Sequence, residues 1–250
     1  MVFVLVHSPL VGPSTWSPVA RELERRHGHA LVPALLGPGG APPGHWRECV
    51  EAARDAVRTL SEPVVLVGHS GGGLLLPVIA DAVAPPVSGL IFVDSRVPAS
   101  TGGTPLVRSS FVDRLRTLAV GGVLPPWSTW WGEDTMPDLV PDEALRTQLT
   151  REIPSLPLAY FAERIPSPVG WDRMPCSYLL LSDAYRDAAA EARGRGWPVE
   201  EILGARHPPH RGRPRGGHRR THPAGSRLTR SRSPWIECAE REFGADPTSH

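Results

Sequence analysis

Residues 64–73 decide the fold of this chain, and they read Val64-Val65-Leu66-Val67-Gly68-His69-Ser70-Gly71-Gly72-Gly73. Four apolar residues of strand length enter a glycine-rich turn, and an apolar segment of helical length, 74–83, follows. An unbroken apolar strand is typical of a parallel strand that is covered on both faces. The small residues around Ser70 permit a sharp turn, so the stretch predicts a strand, a strained serine and a helix in that order.

The same pattern recurs along the chain. Further apolar runs of strand length alternate with segments whose apolar residues recur at helical spacing, and we predict strands at 2–6, 30–32, 64–67, 90–93, 178–181 and 199–203. This alternation predicts the α/β class, with a doubly wound and mostly parallel sheet. The alternation lapses in a proline- and tryptophan-rich stretch, about 98–174, which we expect to be a cap insertion over the carboxyl ends of the strands.

The charge of the chain is divided unevenly. All 27 basic residues are arginine; residues 1–204 carry 17 of them against 22 acids, whereas 205–250 carry 10 against 4 acids. We therefore expect an acidic globular domain over 1–207 and a basic, disordered tail over 208–250. A nucleic-acid-binding arm is one interpretation of the tail, but we favour a change of coding frame just after His207, because the composition is that of GC-rich coding read out of frame. We expect no nucleic-acid partner.

Other global features narrow the class of protein. No apolar run approaches the ~20 residues that cross a bilayer, so no membrane partner is expected. Cys49, Cys176 and Cys238 are far apart and lack metal-ligand spacing, which favours reduced thiols in a cytoplasmic protein. Nothing in the pattern implies a metal ion or an organic cofactor, and the oligomeric state is left open.

Ser70 is the residue that the turn offers for chemistry. A helix N-terminus provides partial positive charge and free N–H groups, so the Gly71 N–H could donate to an oxyanion that forms on a carbonyl attacked by Ser70. A phosphate-binding loop fits less well, because the Lys-Ser/Thr ending of such loops is missing. A plain glycine-rich turn is the alternative.

The 64–72 stretch resembles the nucleophile elbow of the α/β-hydrolases. The opening, from Phe3 through His7-Ser8-Pro9-Leu10 to Trp16, resembles the first strand and loop of the small esterases and hydroxynitrile lyases. The resemblance covers roughly residues 2–207 and implies a Ser-Asp-His triad in that chain order. It does not imply a particular substrate, because this fold hosts many chemistries.

Candidates for the other two triad members follow the last predicted strands. His207 comes after the final strand and is the expected base, because an imidazole can take and return the serine proton near neutral pH; a solvated tail histidine is the alternative. Asp183, the first carboxylate after strand 178–181, is the expected acid, with helix capping as its structural alternative. Asp94, which ends an earlier strand, is the other candidate acid.

The chain departs from the family pattern at Pro9. In the resembling families this position donates a second backbone N–H to the oxyanion, and proline has none. The N–H of Leu10 or the hydroxyl of Ser8 could substitute, and His7 is expected to brace the loop. In the cap, Trp127, Trp130 and Trp131 could line an acyl or aromatic pocket or could simply pack. The candidate oxyanion and substrate-binding residues are Gly71, Leu10, Trp130 and Trp131.

These observations favour a serine hydrolase that acts on a small-molecule carboxylic ester or related acyl substrate. The alternatives are a catalytically impaired binding protein of the same fold, which Pro9 and the unusual C-terminus motivate, and a lyase that uses the same residues. We also expect the tail beyond His207 to lack the amphipathic helix that normally closes such a domain.

Overall fold

A computed structural model describes residues 1–131 and 136–202 of the chain. The described elements, in chain order, are β1 Val2–Val6, α1 Ser17–His27, β2 Ala30–Leu31, α2 Trp46–Val57, β3 Val64–His69, α3 Gly71–Ala82, β4 Val87–Val93, β5 Gly103–Pro105, α4 Ser109–Leu118, α5 Met136–Leu139, α6 Glu143–Glu152, β6 Arg164–Pro166, β7 Cys176–Leu180, α7 Arg186–Gly194 and β8 Val199–Glu201. The expected tail and His207 lie outside the described residues.

Six of the described strands form one parallel sheet in the order β2-β1-β3-β4-β7-β8. The order reverses between β1 and β3, because β2 lies on one side of β1, whereas β3, β4, β7 and β8 lie on the other. In open parallel sheets, binding sites lie at the carboxyl ends of the strands beside such a reversal. The predicted α/β class and parallel sheet are therefore confirmed, and β3 carries Ser70 to this edge.

Successive side chains of each strand point to opposite faces of the sheet, so the strands contribute to two hydrophobic cores. One face, with Val4, Leu66 and Phe92, packs against α2, α3 and α7. The other face, with Leu5, Val67 and Val93, packs against Trp16 and α1. The apolar face of each helix explains why it lies on the sheet, since burying a large aliphatic side chain stabilises the fold by ~1.5–3 kcal/mol.

An open concavity of about 410 Å³ remains on the α1 face of the sheet within the described part of the chain. Its walls are almost wholly apolar and include Phe3, Val19 and Leu179. In residues 1–131 and 136–202, no helix is both long and apolar enough to cross a membrane.

Within its described residues, the segment between β4 and β7 contains three α-helices, α4 to α6, and a small antiparallel pair of strands, β5 with β6. One of its polar contacts with the sheet domain is made by a partly buried glutamate. Glu152, the last residue of α6, accepts hydrogen bonds from the Ser14 backbone N–H at 2.9 Å and the Ser14 hydroxyl at 2.6 Å. Gly12 leaves room for this contact, because a Cβ there would overlap the Glu152 side chain.

Candidate active site

Ser70 lies in a strained turn between β3 and α3. Its backbone has φ 52° and ψ −126°, a conformation that residues with a side chain rarely adopt. The Ser70 N–H donates to the carbonyls of Val93 and Asp94, both at 3.1 Å, which ties the turn to the end of β4. Strain of this kind costs of order 1–3 kcal/mol and is held by surrounding structure. The turn is the one that the sequence predicts.

The glycines of the turn are required by close contacts. A Cβ on Gly72 would come within 2.5 Å of the Val6 carbonyl oxygen and 2.6 Å of the His7 oxygen. A Cβ on Gly68 would lie 2.7 Å from the Gly73 Cα. Because these neighbours are backbone atoms, they cannot move aside cheaply, so the start of α3 is packed directly against the end of β1.

The loop after β1 lies against the first residue of α3. A Cβ placed on Gly71 would be 3.2 Å from the Ser8 Oγ and 3.4 Å from the Pro9 Cδ. The Leu10 N–H donates to the Ser8 Oγ at 3.3 Å. Gly71 occupies the first turn of α3, where backbone N–H groups have no partner within the helix. The structure thus brings Gly71 and the β1 loop together.

His7 braces that loop. Its Nδ1 lies 2.8 Å from the Ser8 carbonyl oxygen, and its Nε2 accepts the Leu35 N–H at 3.2 Å. Burial of the ring lowers the pKa of His7 to about 4, so the imidazole is neutral at neutral pH. A neutral ring can donate from Nδ1 and accept at Nε2 together, which explains how one side chain joins two loops.

Asp94 is fully buried at the end of β4 and has a positive φ of 39°. Its Oδ1 accepts the Leu181 N–H at 2.6 Å and the Ser182 N–H at 3.3 Å. This carboxylate therefore joins the carboxyl ends of β4 and β7. It also fixes the start of the loop that carries Asp183.

Asp183 begins a short 3-10 turn, 183–185, after β7. Its side chain is 67% exposed and forms an ion pair with Arg186, with a contact of 2.6 Å from Oδ1 to the arginine Nε. The structure does not bring the carboxylate into contact with Ser70. Instead, the same turn places the Tyr185 hydroxyl 3.3 Å from the Ser70 Oγ. Tyr185 is not among the residues predicted from the sequence, although its position two residues after Asp183 puts it at the carboxyl end of β7.

His207, the expected base, lies outside the described residues. His69, which precedes Ser70, points to the opposite side of the sheet from α3 and meets the ring of Trp16 edge-on, with 6.2 Å between ring centroids. Burial lowers the pKa of His69 to about 3, so this ring is neutral.

Trp130 belongs to an aromatic cluster of the β4–β7 segment. It contacts Phe111, Phe161 and Trp131 at centroid distances of 5.9 to 6.1 Å, and its Nε1 donates to the Pro125 carbonyl at 2.8 Å. Only 3% of Trp130 is exposed, whereas Trp131 is partly buried. These contacts are those of a packed core, which is one of the two roles that the sequence analysis left open.

A concavity of about 510 Å³ adjoins the β1 loop. Its lining includes His7 and Pro9 of the β1 loop, Leu35 and Pro43, and Ile153, which directly follows α6. Pro9 thus lines this concavity and also lies close to Gly71.

A six-stranded parallel sheet with a strained serine between a central strand and a helix defines an α/β hydrolase. The profile of the alpha/beta hydrolase family matches residues 3–217. The chain therefore belongs to the alpha/beta hydrolase family.

Individual proteins show the same relationship. The chain is 27% identical to Methylesterase 8 from Arabidopsis thaliana over 195 residues, which are 72% of this chain and 71% of that protein. It is 31% identical to a carbendazim hydrolyzing esterase from Nocardioides sp. (strain SG-4G) over 108 residues, 38% of this chain and 42% of the esterase. The latter match thus spans less than half of its relative.

Solved structures share the fold. An extracellular alpha/beta-hydrolase from a Paenibacillus species aligns over 82% of this chain and 90% of its own length, with a TM-score of 0.63 and 18% identity. A pyrethroid hydrolase from Sphingobium faniae JZ-2 aligns over 96% and 93%, respectively, with a TM-score of 0.62 and 18% identity.

Proposed function

We propose that this protein is a serine esterase that hydrolyses a small carboxylic ester or a related acyl substrate. The observation that carries the proposal is the strained turn at Ser70, whose φ of 52° is maintained by two hydrogen bonds to the end of β4. Backbone strain retained at a polar residue is a mark of functional sites. The named relatives, a methylesterase and a carbendazim hydrolyzing esterase, support ester hydrolysis as the reaction class.

The reaction we propose has two steps. The Ser70 Oγ attacks the carbonyl carbon while the His207 imidazole takes its proton, and the carbonyl electron pair moves to oxygen. Collapse of the tetrahedral intermediate expels the alcohol, which receives the proton from His207. Water then attacks the acyl enzyme with the same base, releasing the acid and restoring Ser70.

We assign the orienting acid to Asp183. It is the first carboxylate after β7, and its turn also carries Tyr185 to the nucleophile. The assignment requires His207 to replace Arg186 as the partner of Asp183, which is inexpensive because exposed ion pairs contribute only ~0–1 kcal/mol. Asp94 is the second candidate, but its Oδ1 already accepts two backbone N–H groups, which favours a clamping role.

Pro9 gives weight to one alternative, a catalytically impaired protein of the same fold that binds its ligand without turnover. Loss of one oxyanion donor lowers a rate by about 10²–10³-fold, which would leave ester turnover close to absent. A binding protein would keep the strained Ser70 turn but show no acyl transfer.

The test is a panel of p-nitrophenyl esters of increasing acyl length, measured with the full chain, together with labelling by a fluorophosphonate probe. The proposal predicts turnover and labelling of the wild type, and loss of both in Ser70→Ala. His207→Ala should lose turnover, whereas His210→Ala, a nearby tail histidine, serves as the matched control and should retain it.

Two results would overturn the assignment. Turnover by Ser70→Ala at more than a few per cent of the wild-type rate would exclude Ser70 as the nucleophile. A wild type that neither turns over any ester nor reacts with the probe would favour the binding protein.

A further inference from the structure

The backbone donors on the β1 side of Ser70 are fewer than an oxyanion site needs. Pro9 has no N–H, and the Leu10 N–H is directed to the Ser8 Oγ at 3.3 Å. Of the candidate backbone donors, Gly71 at the start of α3 is the one whose N–H has no partner in its helix. A single donor would leave a developing oxyanion half satisfied.

The Ser8 side chain lies beside the first candidate donor, Gly71. Its Oγ is 3.2 Å from the position of a Cβ on Gly71, so it sits beside the residue that supplies the first donor. Ser8 is only 4% exposed, which removes it from competing solvent and strengthens any hydrogen bond it makes to charge.

The hydrogen bonding of Ser8 leaves its proton available. Within the described part of the chain, the Ser8 Oγ takes part in one hydrogen bond, as the acceptor of the Leu10 N–H. A serine hydroxyl has one proton and two lone pairs, so the Leu10 contact occupies a lone pair and turns the O–H elsewhere. The same contact polarises the hydroxyl and makes it a better donor.

The backbone of Ser8 is held rigidly. Its carbonyl oxygen accepts the Val11 N–H at 3.1 Å and lies 2.8 Å from the Nδ1 of His7. His7 is anchored in turn by the Leu35 N–H. A donor fixed before the reaction stabilises the transition state without reorganisation at the moment when charge develops.

We propose that the Ser8 hydroxyl is the second oxyanion donor, replacing the backbone N–H that Pro9 lacks. This inference rests on the proposed esterase function. When Ser70 bonds to the carbonyl carbon, the π electron pair passes to the oxygen, which accepts hydrogen bonds from the Gly71 N–H and the Ser8 O–H. The Ser70 proton goes to His207, and no proton leaves Ser8. Ser8 is thus a catalytic residue that touches the reacting oxygen. Its Oγ accepts a hydrogen bond from the Leu10 N–H while its own O–H donates to the oxyanion.

The decisive variants are Ser8→Ala and Ser8→Thr. Ser8→Ala should lower kcat for the best p-nitrophenyl ester by about 10²–10³-fold with little change in KM, because the bond forms in the transition state. Ser8→Thr keeps a hydroxyl and should retain most of the rate. Ser128→Ala, which removes a buried serine hydroxyl of the β4–β7 segment, is the matched control and should leave kcat unchanged.

A transition-state mimic distinguishes hydrogen-bond donation by the Ser8 hydroxyl from a purely structural role of this residue. A trifluoromethyl ketone forms a charged tetrahedral adduct with the serine, so its inhibition constant in Ser8→Ala should rise by about the factor by which kcat/KM falls. Thermal unfolding of each variant checks that the fold is kept.

A folded Ser8→Ala within threefold of the wild-type kcat, with unchanged ketone inhibition, would overturn the Ser8 role alone. Esterase activity that survives Ser70→Ala, or a wild type without turnover, would overturn the proposed function and the Ser8 role with it.

Discussion

The Tyr185 hydroxyl lies 3.3 Å from the Ser70 Oγ and reaches it from the β7 side of the site. Ser8 approaches Gly71 from the β1 side, on the other flank of β3. The Ser70 turn is therefore approached by the Tyr185 hydroxyl from one side and, beside Gly71, by the Ser8 hydroxyl from the other. Because only 2% of Tyr185 is exposed, its ring is fixed against the site.

Tyr185→Phe tests what this contact contributes. The change removes one hydrogen bond to Ser70 and keeps the ring, and a neutral hydrogen bond is worth about 1 kcal/mol, or roughly fivefold in rate. We expect kcat to fall by about this factor while the melting temperature changes little. Stopped-flow or steady-state kinetics with one p-nitrophenyl ester is sufficient, and Tyr160→Phe, a buried tyrosine that contacts Cys49, is the control. An unchanged kcat would make the contact incidental.

The turn at Ser70 was predictable from the sequence, whereas the contacts around it were not. Apolar strands and clustered glycines are local signals, so the alternation and the 64–73 stretch were enough to predict the parallel sheet and the strained serine. The contact between Tyr185 and Ser70 joins residues 115 positions apart, and it depends on β4 and β7 being neighbours. No local pattern encodes such a neighbour relation.

The choice between the two candidate acids, Asp183 and Asp94, also depends on contacts that the sequence does not encode locally. Both follow apolar strands, so the sequence alone could rank them only by the order of residues in the resembling families. The structure separates them by environment: Asp94 is buried and accepts backbone N–H groups, whereas Asp183 is exposed beside Arg186. Burial and partners depend on packing between β4 and β7, which is a tertiary property.

Asp183→Asn and Asp94→Asn distinguish the acids. Asp183→Asn should lower kcat by orders of magnitude, because an amide no longer stabilises the imidazolium or its orientation. Asp94→Asn keeps an oxygen that can accept from Leu181 and Ser182, so its kcat should stay within about tenfold of the wild type. Esterase assays at several pH values make the comparison, and the reverse ranking would transfer the acid to Asp94.

The stability of Ser70→Gly should measure the backbone strain at position 70 independently of catalysis. Glycine adopts positive φ without steric cost, whereas alanine is strained at φ 52° as serine is. Neither variant should turn over ester, but Ser70→Gly should exceed Ser70→Ala in free energy of unfolding by about 1 kcal/mol or more. Urea denaturation of the two variants measures this difference. Equal stability would mean that the turn stores little strain.

Trp130→Ala should reveal a packing role. The ring contacts three aromatic neighbours and is almost fully buried, and such truncations typically cost 3–5 kcal/mol. We expect a clear drop in melting temperature with the ranking of ester chain lengths preserved. Trp131→Ala, at a more exposed neighbour, should cost less. A changed ranking in a stable Trp130→Ala protein would instead make this tryptophan a wall of the substrate pocket.

The brace at His7 should make stability depend on acid pH. Burial lowers the pKa of His7 from 6.5 to about 4, so between these values the unfolded chain binds a proton that the folded protein excludes. The free energy of unfolding should therefore be at its full value above pH 6.5 and fall by up to ~1.4 kcal/mol per pH unit toward pH 4. His69, with a pKa lowered to about 3, adds a loss of the same sign.

His7→Gln removes one titrating group, so it should be less stable at pH 7.5 but lose stability less steeply between pH 6.5 and 4. Urea unfolding of both proteins across this range measures the two slopes, and the carboxylates common to both cancel in the comparison. Parallel slopes would show that His7 carries a proton in the folded state, and the hydrogen bond from Leu35 to its Nε2 would then be excluded.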